Sequence, residues 1–260
     1  MQGENRMPKW NVVGKWTAVA IIGAVMATPA FAGEAKVAVA ANFTAAAKDI
    51  AAAYKAESGN DIALSFGSTG TLYNQISQSA PFDVFLAADD KRPEQAIKSG
   101  YGVKGTAFTY AVGKIVLYST DAKLVDGEKT LKAGKFQKLA VADPKTAPYG
   151  TAAVETMKKL GVYDSLKSKI VQGNNIAQTF QFVSTGNAEL GFVALSEVIE
   201  KKSGSRWIVP AKYYTPIRQD AVLLKTGEKN DAAKGFIKFL KGPKAAKIIE
   251  KYGYATGSSK

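Results

Sequence analysis

The chain has 260 residues, with 35 Lys and Arg against 22 Asp and Glu, and it contains neither histidine nor cysteine. Without those two residue types it has no Cys/His metal site, thiol nucleophile, disulfide or Ser-His triad, which favours binding over catalysis. The net charge of +13 suits acidic partners. However, the lysines are spread along the chain, with no arginine cluster and no interleaving of basic and aromatic residues, so a solvated cationic surface is expected and nucleic acid is not.

In chain order, residues 1–32 read as a cleavable export signal. Arg6, Lys9 and Lys15 form a basic start, residues 16–26 a short apolar core, and Ala30-Phe31-Ala32 an Ala-x-Ala cleavage pattern. The thirteen residues between Lys15 and Pro29 fall short of the ~20 that a membrane-spanning helix needs. No cysteine is present to carry a lipid anchor, so export to a bacterial periplasm is expected. About 228 residues remain, with a net charge of +11 once Glu4 and the three basic side chains are set aside. That length allows one large domain or two small lobes.

Strand-like and helix-like segments then alternate, which predicts an α/β fold with largely parallel sheets. The first set is a strand over 36–41, a helix over 45–56, a strand over 62–66, a helix over 72–78, a strand over 83–87 and a helix over 93–99. A long strand follows over 110–118. A second set comprises a strand over 138–142, helices over 151–160 and 176–183, and a strand over 190–194. A second long strand covers 217–224, before helices over 231–240 and 244–251. The simplest organisation is two lobes, one of residues 33–113 and 216–260 and the other of residues 114–215, with the chain crossing twice between them and a ligand cleft where they meet. A single continuous sheet is the alternative.

Each lobe brings two junctions where a helix begins among small polar residues. These are Asn42-Phe43-Thr44 and Gly67-Ser68-Thr69-Gly70-Thr71 in the first, and Pro148-Tyr149-Gly150-Thr151 and Asn174-Asn175-Ile176 in the second. A helix N-terminus offers unpaired N–H groups and a partial positive charge, so it binds anions. Taken singly, each junction is an ordinary N-cap. Four converging on lobe closure would make an oxyanion site, each end worth ~0.3–1 kcal/mol when exposed and up to ~2 kcal/mol when partly buried. No Asp, Glu, Lys or Arg occurs at these junctions. Donors alone suit a fully deprotonated tetrahedral oxyanion, whereas hydrogen phosphate brings a proton that needs an acceptor. Neutral donors leave selection to size and shape.

Several longer stretches carry a resemblance. Residues 40–44, 65–76 (Ser-Phe-Gly-Ser-Thr-Gly-Thr-Leu-Tyr-Asn-Gln-Ile) and 80–89 (Ala-Pro-Phe-Asp-Val-Phe-Leu-Ala-Ala-Asp), together with Val141-Ala142-Asp143-Pro144, Leu190-Gly191-Phe192-Val193-Ala194, Phe239-Leu240-Lys241-Gly242-Pro243 and Lys251-Tyr252-Gly253-Tyr254, resemble the periplasmic molybdate-binding proteins of ABC transporters. The likeness runs through essentially the whole mature chain in order. It implies a two-lobed type II periplasmic binding protein fold with two crossing hinge strands. The cleft would close on molybdate or tungstate, held by backbone N–H groups and a few hydroxyl or amide side chains.

Matched by motif, the implied ligand-binding residues are Asn42, Ser68, Thr69, Tyr149 and Ile176. Asn42 stands where one branch of the family has Ser, and Ile176 would offer its main-chain N–H. The Leu-Gly-Phe-Val-Ala motif ends in Ala194 where other members place a ligand-binding Tyr, so Tyr149 is expected to supply the hydroxyl instead. Packing after Pro148 is the alternative role for Tyr149. Asp83 and Asp89 are expected to support loops and the hinge, and Asp220 to serve structure.

The resemblance further implies a monomeric, non-enzymatic periplasmic receptor that needs no cofactor. It would bind molybdenum only as the oxyanion and deliver it to a membrane permease. A receptor for sulfate or another tetrahedral oxyanion is the runner-up. An enzyme on the same fold would need an acid, base or cofactor residue in the cleft, and none stands at the four junctions. An adhesin or nucleic-acid binder using the +11 charge would show steep salt dependence.

Overall fold

The computed structural model describes residues 1–3 and 33–256; residues 4–32 of the expected export signal lie outside the described residues. Among the described residues no helix is long and apolar enough to cross a membrane. The first run of elements is β1 (Glu34–Ala40), α1 (Thr44–Ser58), β2 (Asp61–Gly67), α2 (Thr69–Ser77), β3 (Val84–Leu86), α3 (Lys91–Lys98) and β4 (Phe108–Gly113). The second run is β5 (Ile115–Ser119), α4 (Gly127–Ala133), β6 (Leu139–Ala142), α5 (Pro148–Lys159), α6 (Tyr163–Leu166), β7 (Ile170–Gly173), α7 (Ile176–Ser184), β8 (Leu190–Ala194), α8 (Leu195–Val198) and β9 (Ser205–Ile208). The chain closes with β10 (Ile217–Leu223), α9 (Asp231–Leu240) and α10 (Pro243–Lys251).

The strands form two five-stranded sheets, in the orders β2-β1-β3-β10-β4 and β7-β6-β8-β5-β9. Both are mixed, which corrects the expectation of largely parallel sheets. β1 runs parallel to β2 and β3 while β10 runs antiparallel to β3 and β4. β6 runs parallel to β7 and β8 while β5 runs antiparallel to β8 and β9. The antiparallel partners are the strands on which the chain arrives from, or departs towards, the other sheet.

Alternation along the strands explains why each sheet is covered on both faces. In β1, Val37 and Val39 join one apolar cluster with Phe43, Tyr54 and Phe236, while Ala38 joins another with Leu72, Ile76 and Phe85. A third cluster, centred on Leu117, Leu139 and Phe192, gathers Tyr149 and Ile176 of the second run together with Ala40, Ala41 and Ala88 of the first. The apolar core is therefore continuous beneath the place where the two runs meet.

The single long strand expected over 110–118 is two strands in two sheets. Gly113 pairs with Ile217, whereas Ile115 pairs with Ala194. Lys114 between them is exposed, and its carbonyl accepts the Leu195 N–H at 2.9 Å. Three helices begin two or more residues earlier than expected. α2 starts at Thr69 rather than Leu72, α3 at Lys91 rather than Pro93, and α5 at Pro148 rather than Thr151. Proline at N1 loses nothing, because that N–H has no intrahelical acceptor.

Candidate functional site

A small cavity lies beyond the carboxyl ends of the parallel strands, where open α/β sheets place their ligands. Residues 40–42, 67–69 and 88 form its wall from the first run, and residues 147–149 and 175–176 its wall from the second. All five sequence-predicted residues are in it: Asn42, Ser68, Thr69, Tyr149 and Ile176. No lining side chain is charged. Its twelve lining residues crowd closely together, so it suits a small ion and not a drug-sized organic ligand.

Each wall is built from helix starts. Ser68 caps α2, its Oγ accepting the Thr71 N–H at 3.4 Å and lying 2.7 Å from the Thr71 hydroxyl. The Gly70 N–H donates to the Thr146 carbonyl at 2.8 Å, tying the start of α2 to the loop before α5. A Cβ at Gly70 would lie 3.0 Å from Thr146 Cα, so glycine permits this close approach. Thr69 stands at the first helical position. Its hydroxyl accepts the buried Ala88 N–H at 2.9 Å, which leaves its own proton to donate. A 3-10 turn over Ala41–Phe43 presents Asn42 before α1 begins.

On the opposite wall, Asn175 caps α7 by accepting the Gln178 N–H at 2.9 Å, and Ile176 is the first helical residue. Tyr149 follows Pro148 in the first turn of α5, so the phenol sits beside its own helix start and not in a preceding loop. Thr69, Tyr149 and Ile176, in the first turns of their helices, line the cavity, and their N–H groups have no acceptor within the helix.

Asn42 and Tyr149 also belong to a buried polar network behind the cavity. Asn42 Nδ2 donates to Gln219 Oε1 at 2.8 Å and to the Tyr254 hydroxyl at 3.0 Å, and lies 3.5 Å from the Tyr149 hydroxyl. Gln219 Nε2 donates to the Tyr149 hydroxyl at 3.3 Å. The Tyr254 hydroxyl donates to the Asn42 carbonyl at 2.7 Å, and the Ser196 hydroxyl reaches the same carbonyl at 2.9 Å. Burial pushes the Tyr149, Tyr110 and Tyr254 phenols well above their ordinary pKa. They therefore stay protonated near neutral pH and add no negative charge behind the cavity. Gln219, Tyr110, Tyr254 and Ser196 were not identified as site residues from sequence. The one available signal was Gln219 within Arg218-Gln219-Asp220, a polar interruption of an apolar strand.

Ala194 is buried outside the lining, and its N–H donates to the Glu197 carboxylate at 3.0 Å. The acids flagged in the sequence hold the frame. Asp83 accepts the Lys36 N–H at 2.7 Å, Asp220 accepts the Thr109 hydroxyl at 2.7 Å, and Asp89 pairs with Arg92, whose Nη2 donates to the Lys145 carbonyl at 3.0 Å. A wider groove of about 400 Å3 next to the cavity includes Arg92, Glu155 and Arg218 in its lining. Those charges already engage Asp89, the Thr215 N–H and the Thr109 hydroxyl, so the groove lacks the neutral donor set of the smaller cavity.

A family model described as bacterial extracellular solute-binding protein matches residues 35–255. The molybdate-binding protein ModA of Rhodobacter capsulatus is 52% identical over 240 residues, which is 92% of this chain and 95% of that protein. Among solved structures, the periplasmic molybdate-binding protein of Azotobacter vinelandii superposes with a TM-score of 0.83 at 39% identity, covering 85% of this chain and 98% of that one. The sulfate-binding protein SubI of Mycobacterium tuberculosis, at a TM-score of 0.74 and 12% identity, shares the fold.

Proposed function

The chain belongs to the bacterial extracellular solute-binding protein family, and from that premise we propose that it captures molybdate, and tungstate alike, for delivery to the membrane permease of an ABC transporter. The observation that carries this reading is the cavity itself, which is lined by helix starts, hydroxyls and one protonated phenol, with no charged side chain. Such a site satisfies four unprotonated oxygens by donation alone and offers no carboxylate to receive the proton of hydrogen phosphate. Asn42, Ser68, Thr69, Tyr149 and Ile176 are the ligand-binding residues of this proposal. The protein acts in the periplasm as a monomeric receptor, without a catalytic step or cofactor, after removal of residues 1–32.

Residues 33–113 with 216–260 act as one lobe and residues 114–215 as the other. The anion docks on one wall, and rotation about the crossing segments brings the second set of N–H groups onto it. Exclusion of water then strengthens each hydrogen bond. Sulfate is the second reading, because its four bare oxygens satisfy the same donors and only cavity size separates the two ions.

Thermal unfolding with molybdate, tungstate, sulfate and phosphate tests the assignment. A ligand at about 100 times its dissociation constant adds ~2.7 kcal/mol of stability. Molybdate and tungstate are expected to raise Tm and phosphate to leave it unchanged. A shift with sulfate and none with molybdate or tungstate sinks the molybdate reading.

A further inference from the structure

Gln219, on the returning strand β10, is fully buried and uses both ends of its amide. Its Oε1 accepts from Asn42 Nδ2 at 2.8 Å and from the Tyr110 hydroxyl at 3.2 Å, and its Nε2 donates to the Tyr149 hydroxyl at 3.3 Å. The amide thus bridges a donor from each wall of the cavity. Space for it comes from Gly113, where a Cβ would lie 2.1 Å from the Tyr149 oxygen and 2.7 Å from Gln219 Nε2.

Hydrogen-bond direction gives this bridge a consequence. A phenol oxygen has one proton to donate and two lone pairs. The Tyr149 oxygen receives the Gln219 N–H at 3.3 Å, while Asn42 Nδ2, 3.5 Å away, gives its two protons to the nearer Gln219 and Tyr254 oxygens. Its own proton is thereby turned away from Gln219. The acceptors left to it are the neighbouring Tyr254 oxygen and an anion in the cavity, and a charged acceptor makes the stronger bond.

We propose that Gln219 is a positioning residue that sets the hydrogen-bond polarity of the oxyanion site, holding the Tyr149 hydroxyl as a donor into the cavity and so discriminating against protonated oxyanions. The inference rests on the oxyanion reading above. It assigns selectivity to a residue on the strand behind the ligand, in addition to the donors that touch it.

Gln219→Glu reverses the polarity at nearly constant shape. When ionised, a carboxylate only accepts, so it draws the Tyr149 proton back and leaves a phenol lone pair facing the cavity. Burial favours the neutral acid, whose O–H would donate as the amide does, so binding is followed upward in pH until the acid ionises. Molybdate and hydrogen phosphate binding are measured by calorimetry on four proteins: the native chain, Gln219→Glu, Tyr149→Phe and the double variant. Molybdate affinity is expected to fall about tenfold to a hundredfold in Gln219→Glu, the worth of a hydrogen bond to an ion. The preference for molybdate over hydrogen phosphate narrows by about the same factor. In the Tyr149→Phe background the same change costs about tenfold less, because there is no hydroxyl to turn. Gln219→Met, which can neither ionise nor donate to the Tyr149 oxygen, is run in the same cycle and carries the test where Gln219→Glu stays neutral or misfolds. An unaltered molybdate affinity, an equal loss for both oxyanions, or the same loss with and without the Tyr149 hydroxyl overturns the proposal. Failure of the native protein to bind molybdate is a separate result that removes the oxyanion reading itself.

Discussion

On the first wall of the cavity the hydroxyl donors are side chains already held by neighbours, Ser68 by Thr71 and Thr69 by the Ala88 N–H, while Asn42 gives its amide protons to Gln219 and Tyr254. On the second wall Ile176 has only a main-chain N–H to give, and Tyr149 supplies the single hydroxyl. The difference separates two ways of fixing a donor. The first wall depends on the chemistry of its side chains. The second depends on where two helices start, and so on the packing that sets them there.

The largest effect should come from displacing a helix start. Gly150 follows Tyr149 in α5, and a Cβ there would lie 2.1 Å from the Ala142 carbonyl oxygen and 2.8 Å from its carbon, both backbone atoms that cannot move aside cheaply. Gly150→Ala is expected to cost about 3 kcal/mol of stability, the upper range for overpacking, and to weaken ligand binding by moving Tyr149. Denaturant unfolding and calorimetry measure the two losses, and native-like values for both would show that the second wall tolerates displacement.

A smaller effect is expected on the first wall. Thr69→Val keeps the shape but leaves the buried Ala88 N–H without its acceptor, a cost of about 1–3 kcal/mol. It also removes one donor to the anion, so affinity should fall as well as Tm. Loss of stability with full affinity would remove the Thr69 hydroxyl from the ligand shell.

The smallest effect sharpens the contrast. Ile176→Val trims one methylene from the core at about 0.5–1.5 kcal/mol but leaves the N–H in place, so the dissociation constant should stay within about twofold of native. A larger rise would mean that this wall also reads the ligand through a side chain.

The sequence showed the four junctions around the cavity, and the likeness to the family's motifs picked out the individual residues. Strand–polar–helix junctions around Asn42, Ser68, Tyr149 and Ile176 were visible as expected caps, of which Ser68 and Asn175 cap through a side chain while α1 and α5 start without one, and β8 falls at Leu190–Ala194 as expected. The break at Lys114 was hidden because apolar residues continue on both sides of it, so the pattern is the same whether the chain stays in one sheet or changes to another. β9 escaped notice because Ser205–Ile208 is short and only part-buried. The early starts at Thr69 and Pro148 were missed because threonine, glycine and proline look like turn residues yet are tolerated in a first helical turn. Gln219 and Tyr254 were not recognisable as site residues because their roles depend on contacts with Asn42, 177 and 212 positions away in sequence.

The uncharged lining of the cavity separates arrival from departure. An incoming anion is drawn by the field of the whole basic surface, which dissolved salt screens over about 10 Å at 0.1 M. Once enclosed, it is held by short-range dipoles that salt hardly reaches. Ionic strength therefore acts on how often the receptor is visited, while residence time is governed by the geometry of a few N–H and O–H groups. The cationic surface and the neutral cavity are thus two separately adjustable controls on one affinity.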